Sequence, residues 1–600
     1  MTTGRTGGPS RYRPGRKRRV NTALLTVLAA AVAAALLVAL GAKALSVRAT
    51  CNGQPAKVHI AVSGEIEPVI THLGMYFNRQ HQQVDGHCAE VTVSSAPAPT
   101  TAARLAHAAP GQAQAPADAW IPDSQDWVEV ARANPAAAKF VQPTGITVAE
   151  SPLVIAMPRP AAARTPAFGT SVGWSFLLPA VAGGPSGSAG LDVQFPDPTR
   201  SAAGLAGLIR LKRMVGYGRA ARGALATFAL NAQVVPPAPG GGSLPSLDAF
   251  AQPSAAAAAA AKKAPPGVAA AAAPVTVTAE QAAVQFDRAH PTQPLAVRYP
   301  ADGTYLLSFP YVITSTNRLT VAAAKAFGTV LTSAYATAYV HYEGFRTAAG
   351  TAGTWPSFYG LASAEPHLLT QPGPHRIVSA LHAWHVLGLG SRFLALNDVS
   401  SSMNVQVTPG GPTLEKVLGS TSAAGMTRFP DSTQMGLWVF ASHLQGDLPY
   451  KQLVPMGPLA GQLGVLTRRQ AIQQLAASGQ ALPHVPAALY SSLLAAYKQM
   501  VATYQPQYVN DIIVLTAGIE NAPGDITANK LIRELKATAQ PNRPVEILMI
   551  VLGHPGTFNQ LERIVHVTNG KVWPITSAAE VPQIFYRAFG RRICQPHCPR

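Results

Sequence analysis

Short apolar runs punctuate this chain of 600 residues. Lys57–Val62, Phe393–Leu396, Met435–Ala441, Asp511–Thr516, Val545–Val551 and Lys571–Ile575 are each too short for a buried helix and read as strands. Between them, apolar positions fall at helical spacing. Pro68 through Phe77 is one such stretch. Leu489, Leu493, Leu494, Tyr497, Met500 and Val501 form another, with Pro486 suited to a first helical turn. Strands alternating with helices predict an α/β protein with mostly parallel, doubly wound sheet. In such sheets ligands gather beyond the carboxyl ends of the strands.

A different pattern opens the chain. Residues 1–20 carry seven Lys and Arg and no acid, and an apolar stretch from Thr22 to Ala42 follows. Its length suits a bilayer-spanning helix, so residues 1–20 are expected as a cytoplasmic tail and 21–46 as a transmembrane signal-anchor. A cleaved signal peptide is the alternative, since Ala42-Lys43-Ala44 has the small-x-small form of a cleavage site. Either way the bulk of the chain is expected outside the membrane. The formal net charge of +19 is partly this tail, and the remainder is diffuse and without interleaved aromatics. That pattern argues against nucleic acid as a partner. The four cysteines, Cys51, Cys88, Cys594 and Cys598, all follow the apolar stretch, and an even number outside the cell favours disulfides. Cys51–Cys88 and Cys594–Cys598 are the expected pairs, although four cysteines allow three pairings. A zinc site from Cys594, His597 and Cys598 would lack a fourth ligand.

The candidate chemistry sits after Phe393–Leu396, in Asp398-Val399-Ser400-Ser401-Ser402-Met403. One carboxylate and two hydroxyls at a strand end are hard oxygen ligands that suit Mg²⁺ or another divalent cation. The plain alternative is a turn in which Asp and Ser bond their own backbone. The segment resembles the start of a von Willebrand factor A domain, over residues 391–589. The resemblance implies a metal-ion-dependent adhesion site in which Asp398, Ser400 and Ser402 are joined by a Thr and a second Asp. The aligned positions here are Ala487 and Ala517, so the implied site is degenerate and its cation weakly held.

Residues 51–343 resemble an extracellular solute-binding protein of the two-lobed, type II periplasmic-binding class. The resemblance rests on pieces in order: the strand Lys57–Val62 with its Ser63-Gly64-Glu65 turn, Asp118–Ser124, Ser151–Met157, Asp197–Gly204, and Tyr299 through Tyr311. It implies a small-molecule ligand between two lobes, with Ser63, Asp123, Ser124 and Ser201 as ligand-binding residues. Simple helix capping is the competing role for the serines. Residues 236–274, rich in Ala, Gly and Pro, read as a low-complexity insertion. Residues 344–390 read as a packed linker and 590–600 as a Cys-containing tail. Of the linker histidines only His382 and His385 have helix-compatible spacing, and no carboxylate accompanies them.

No nucleophile elbow, zinc-protease motif or phosphate loop occurs, so no enzyme activity is expected. The whole is similar to actinobacterial membrane-anchored proteins that combine these two modules. The expected function is extracytoplasmic binding of a small ligand, or of a protein or cell-envelope partner. Two alternatives stay open: the solute-binding component of an ABC-type transporter, and a structural envelope protein whose ligand and metal sites have decayed.

Overall fold

The structure is a computed structural model. It describes residues 54–592 except 108–116, 170, 179–190, 217–218, 236–246, 248–249, 251–272, 355–365, 407–409, 427–428, 519–521, 553–557, 576, 578–579, 581–583, 585–586 and 589. The expected tail 1–20, the anchor 21–46, Cys51, Cys594, Cys598 and most of the 236–274 insertion therefore lie outside the described residues. Among the described residues no helix is long and apolar enough to cross a membrane.

The first module uses strands β1 (Ala56–Val62), β2 (Gln83–Val84), β3 (His87–Ser95), β4 (Ala119–Ile121), β5 (Gln142–Pro158), β6 (Leu191–Pro196), β7 (Gln233–Val235), β8 (Ala273–Ala279), β9 (Leu295–Arg298) and β10 (Leu306–Ile313). They run in the order β2-β3-β1-β4-β10-β5-β8-β6-β7, with β9 also paired to β5. Its principal helices are α1 (Glu67–Arg79), α2 (Ala98–His107), α3 (Gln125–Arg132), α4 (Ala202–Val215), α5 (Arg219–Asn231), α6 (Glu280–Ala289), α7 (Arg318–Leu331) and α8 (Ala334–Tyr342).

The strand period of two decides which core each side chain joins. Val58, Ile60 and Val62 point toward α1 and α7, whereas Ala61 points to the opposite face. Ala119 and Ile121 likewise lie apart from Trp120. The two halves of this one sheet, here called the first and second lobe, meet along β5, with β2, β3, β1, β4 and β10 on one side and β8, β6 and β7 on the other. The first half of β5 pairs with β10, from Gln142 opposite Ile313 to Pro152 opposite Leu306. Its second half pairs with β8 and β9. The β5–β10 register shifts around Pro310, where proline lacks the N–H a regular ladder needs.

At this crossover Arg346 makes a bidentate pair with Glu280, at 2.8 and 2.9 Å, with both side chains buried. The Tyr299 hydroxyl closes the network by bonding both partners. Arg346 also exchanges backbone hydrogen bonds with Glu150 of β5, each at 2.9 Å.

The stretch expected as a linker contains α9 (Pro374–Gly388), which is packed on the first module. Its last turn runs into β11 (Gly390–Asp398), the central strand of the second domain. The other elements there are α10 (Leu414–Gly425), β12 (Gln434–Gln445), β13 (Leu448–Pro458), β14 (Gln462–Leu463), β15 (Leu466–Thr467), α11 (Arg468–Ser478), α12 (Leu489–Ala502), β16 (Tyr508–Thr516), α13 (Ala528–Thr538), β17 (Val545–Leu552), α14 (Phe558–Val565) and β18 (Lys571–Ile575). The order β13-β12-β11-β16-β17-β18 is parallel except for β13, which returns as a hairpin on β12. Leu394, Leu396, Ile512 and Val514 pack against α12 on one face. Phe393, Ala395, Met435 and Leu437 pack toward Met426 and Ile472 on the other. Helices thus cover both faces, as the alternating pattern predicts.

Candidate functional site

Two constellations carry candidate chemistry. The first lies between the lobes. β4 ends at Ile121, and Pro122-Asp123-Ser124 turns the chain into α3. Ser124 caps α3 by accepting from the Asp126 N–H at 3.1 Å, and Ser201 caps α4 by accepting from the Gly204 N–H at 3.2 Å. Asp123, from the first lobe, accepts from the Ala202 N–H at the start of α4 in the second, at 3.3 Å. The structure thus joins Asp123 to the turn that Ser201 begins.

Ser63 stands at the end of β1, where its N–H donates to the Ile121 carbonyl at 3.0 Å. It does not supply a side-chain cap to α1, whose cap residue is Ile66. Ser63, Asp123, Ser124 and Ser201 are at most 4% exposed.

Helix N-termini present free N–H groups and a partial positive charge, which favour anions. Here the chain's own Asp123 carboxylate takes that position on α4. Three nearby residues escaped the sequence reading. Asp126 is buried, which pushes its carboxyl up to about 7. The buried indole N–H groups of Trp120 and Trp127 have no hydrogen-bond partner among the described residues. In sequence, Asp126 looks like an ordinary first-turn acid and the tryptophans like core.

The second constellation lies at the carboxyl end of β11. Asp398 and Ser400 are fully buried. One carboxylate oxygen of Asp398 accepts from the Ser400 N–H at 2.9 Å; the other accepts from the Thr516 hydroxyl at 2.6 Å. Ser400 and Ser402 share a hydrogen bond of 2.9 Å between their hydroxyls. Ala487, buried, and Ala517, half-buried, stand where the resemblance implies a Thr and an Asp. The loop before α12 closes over the site through its backbone, with Ser401 N–H to the Val485 carbonyl and Leu482 N–H to the Val399 carbonyl, both 2.8 Å.

Burial raises Asp398 above the usual carboxylate range, opposed by hydrogen bonds from Ser400, Thr516 and the Ala517 backbone. Sequence reasoning also missed Glu415, on the first turn of α10. It is buried, and burial together with the charge of Asp398 pushes it up to about 7. Gly479 makes room for it, since a Cβ there would overlap Glu415 Oε1. The oxygens of Asp398, Glu415, Ser400, Ser402 and Thr516 are of the type a hard cation takes. No group of three or more His, Cys, Asp or Glu suited to a metal occurs among the described residues.

Cys88, in β3, is disulfide-bonded.

Comparison with known proteins bears chiefly on the first module. Residues 58–346, just under half of the chain, match the model of a family described as bacterial extracellular solute-binding protein. The match supports a binding, non-enzymatic role for this module and an extracytoplasmic location. No curated protein matches the chain. Among solved structures, the chain is similar to von Willebrand factor type A from Catenulispora acidiphila, with a TM-score of 0.26 and 14% identity over 34% of this chain and 43% of that one. The chain therefore spans less than half of that protein's length. It is also similar to the sulfate-binding protein SubI from Mycobacterium tuberculosis H37Rv (TM-score 0.34, 17% identity, 49% of this chain, 87% of that one). Iron-bound HitA from Pseudomonas aeruginosa is a third (TM-score 0.37, 11% identity, 56% and 100%).

Proposed function

We propose that this chain is a membrane-anchored, extracytoplasmic, non-enzymatic binding protein. Its two-lobed module takes a small molecule between β4 and the start of α4. Its C-terminal domain offers the Asp398 end of the sheet to a protein or envelope partner. The observation that carries the reading is the match of residues 58–346 to the extracellular solute-binding family. The meeting of Asp123 with the α4 N-terminus between the lobes supports it. The solute-binding component of an ABC-type transporter is the same reading with a permease as partner.

In this reading residues 21–46 anchor the chain, and Cys88 pairs with Cys51, the cysteine beside the start of β1. Mg²⁺ or another divalent cation binds weakly at Asp398, Ser400 and Ser402, and Glu415 offers the acidic oxygen that Ala517 lacks.

The test is thermal denaturation of the full chain in detergent against oxyanions, organic cations and neutral sugars, each with and without Mg²⁺. A saturable rise in Tm with one ligand class, abolished by Asp123→Ala, supports the reading. A flat response throughout sinks it in favour of a structural envelope protein. One observation favours that second reading: the Thr516 hydroxyl already donates to the Asp398 oxygen that a cation would take.

A further inference from the structure

We propose that α9 is a strap that holds the two lobes shut and passes their opening on to the C-terminal domain. The proposal rests on the two-lobed binding reading, because it assumes that the lobes part about β5 and β10.

Three observations carry it. First, the segment before α9 is tied to the chain that leads into β10. The Thr304 N–H donates to the His367 carbonyl at 2.9 Å, the Leu369 N–H to the Thr304 carbonyl at 2.8 Å, and the Gln371 side-chain amide to the Leu306 carbonyl at 2.7 Å. Second, α9 spans the lobes. It packs on α3 of the first lobe and on α4 and α5 of the second. Its buried Ile377, Ala380, Trp384 and Leu387 share one core with Trp127 of α3 and Leu208 of α4. The Trp384 ring lies 6.1 Å from that of Phe195, the residue before the last of β6. Lys212 on α4 donates to the Ser379 carbonyl at 2.8 Å and to its hydroxyl at 2.6 Å. Third, no spacer separates the strap from the second domain. α9 ends at Gly388 and β11 begins at Gly390. Arg592 holds the junction through the Leu389 carbonyl at 3.2 Å and the Ser391 hydroxyl at 2.9 Å.

A helix whose apolar side is shared by two bodies cannot stay on both when they rotate apart. Either the lobes remain closed or α9 strips apolar surface from one of them, which water opposes. That makes its seat a two-position element rather than a flexible tether. Since α9 is continuous with β11, its displacement moves the starting edge of the second domain's sheet. Lobe opening and domain position then bias one another, as any coupled equilibrium must.

Amide hydrogen exchange on the full chain tests this, with no ligand added. Trp384→Ala removes the largest side chain of the strap; Lys212→Met cuts only its polar tie and guards against a variant that fails to fold. In both, the first-turn amides of α4, Ala202 to Gly204, and those at Ser391–Phe393 are expected to exchange at least about tenfold faster, with the distal α12 and β17 unchanged. Loss of protection in α9 itself while Ala202–Gly204 keep wild-type rates would overturn the strap. Faster exchange in α4 with an unmoved Ser391–Phe393 would overturn the transmission. A failed ligand search leaves both results standing, so the strap and the binding reading fail separately.

Discussion

Glu415 shows what burial does to a single side chain. Its carboxyl is raised from 4.5 to about 7, first by loss of water and then by Asp398. The folded protein therefore keeps a proton that the unfolded chain has released. Stability from this group is full below pH 4.5 and declines as pH rises toward about 7, by up to ~1.4 kcal/mol per unit. Glu415→Gln should remove that share of the slope, visible as a smaller difference in urea midpoint between pH 5 and pH 7.5; identical slopes would refute the assignment. Asp398 behaves differently, because its oxygens are acceptors for Ser400 and Thr516. Asp398→Ala leaves a buried N–H and a buried hydroxyl without that acceptor, a loss of about 1–3 kcal/mol in denaturant unfolding.

At the scale of elements, the start of α4 is a tight joint. A Cβ on Gly204 would overlap the carbonyl oxygen of Pro196, at the end of β6. Gly204→Ala must push helix from strand, and ~1–3 kcal/mol of destabilisation is expected, with loss of the Ser201 cap as its structural mark. A crystal structure of the variant with that cap intact would disprove the account. Element type was largely legible from the sequence. The runs at Lys57–Val62, Asp511–Thr516 and Lys571–Ile575 all form strands, because buried parallel strands are continuous apolar runs. The helical stretch expected from Pro68 through Phe77 is present as Glu67–Arg79, although Ser63 does not cap it. The β12–β13 hairpin was only half visible. β13 carries Tyr450, Lys451 and Gln452 on an exposed edge, and such a strand has no uniform apolar signature. Of the candidate site, the sequence offered only the local motif Asp398, Ser400 and Ser402, whose side chains the fold does bring together. Glu415 and Asp126 were not legible, because only the fold brings them under cover.

For the whole molecule, the buried Arg346–Glu280 pair at the lobe crossover is an exacting contact. Arg346→Met strands a carboxylate in the interior and should cost about 3–5 kcal/mol. Arg346→Met with Glu280→Met should recover much of that loss, since a buried pair replaced by apolar groups of similar size is often neutral. A double variant as unstable as the single one would show that the backbone exchange with Glu150, rather than the charges, holds the crossover. How α9 sits on both lobes was beyond any local pattern. Its apolar positions look like those of an ordinary packed linker, and only the packing shows that they serve three helices of two lobes at once.

Arg592 has a consequence of another kind. It lies near the end of the second domain and grips Leu389 and Ser391 at its beginning. The incoming and outgoing chain therefore meet at one point, and the 200 or so residues between them form a loop closed at its neck. Such a body is a natural cassette. Spliced by that neck into an exposed turn of an unrelated host, it would ask the host to bridge only the width of one arginine side chain.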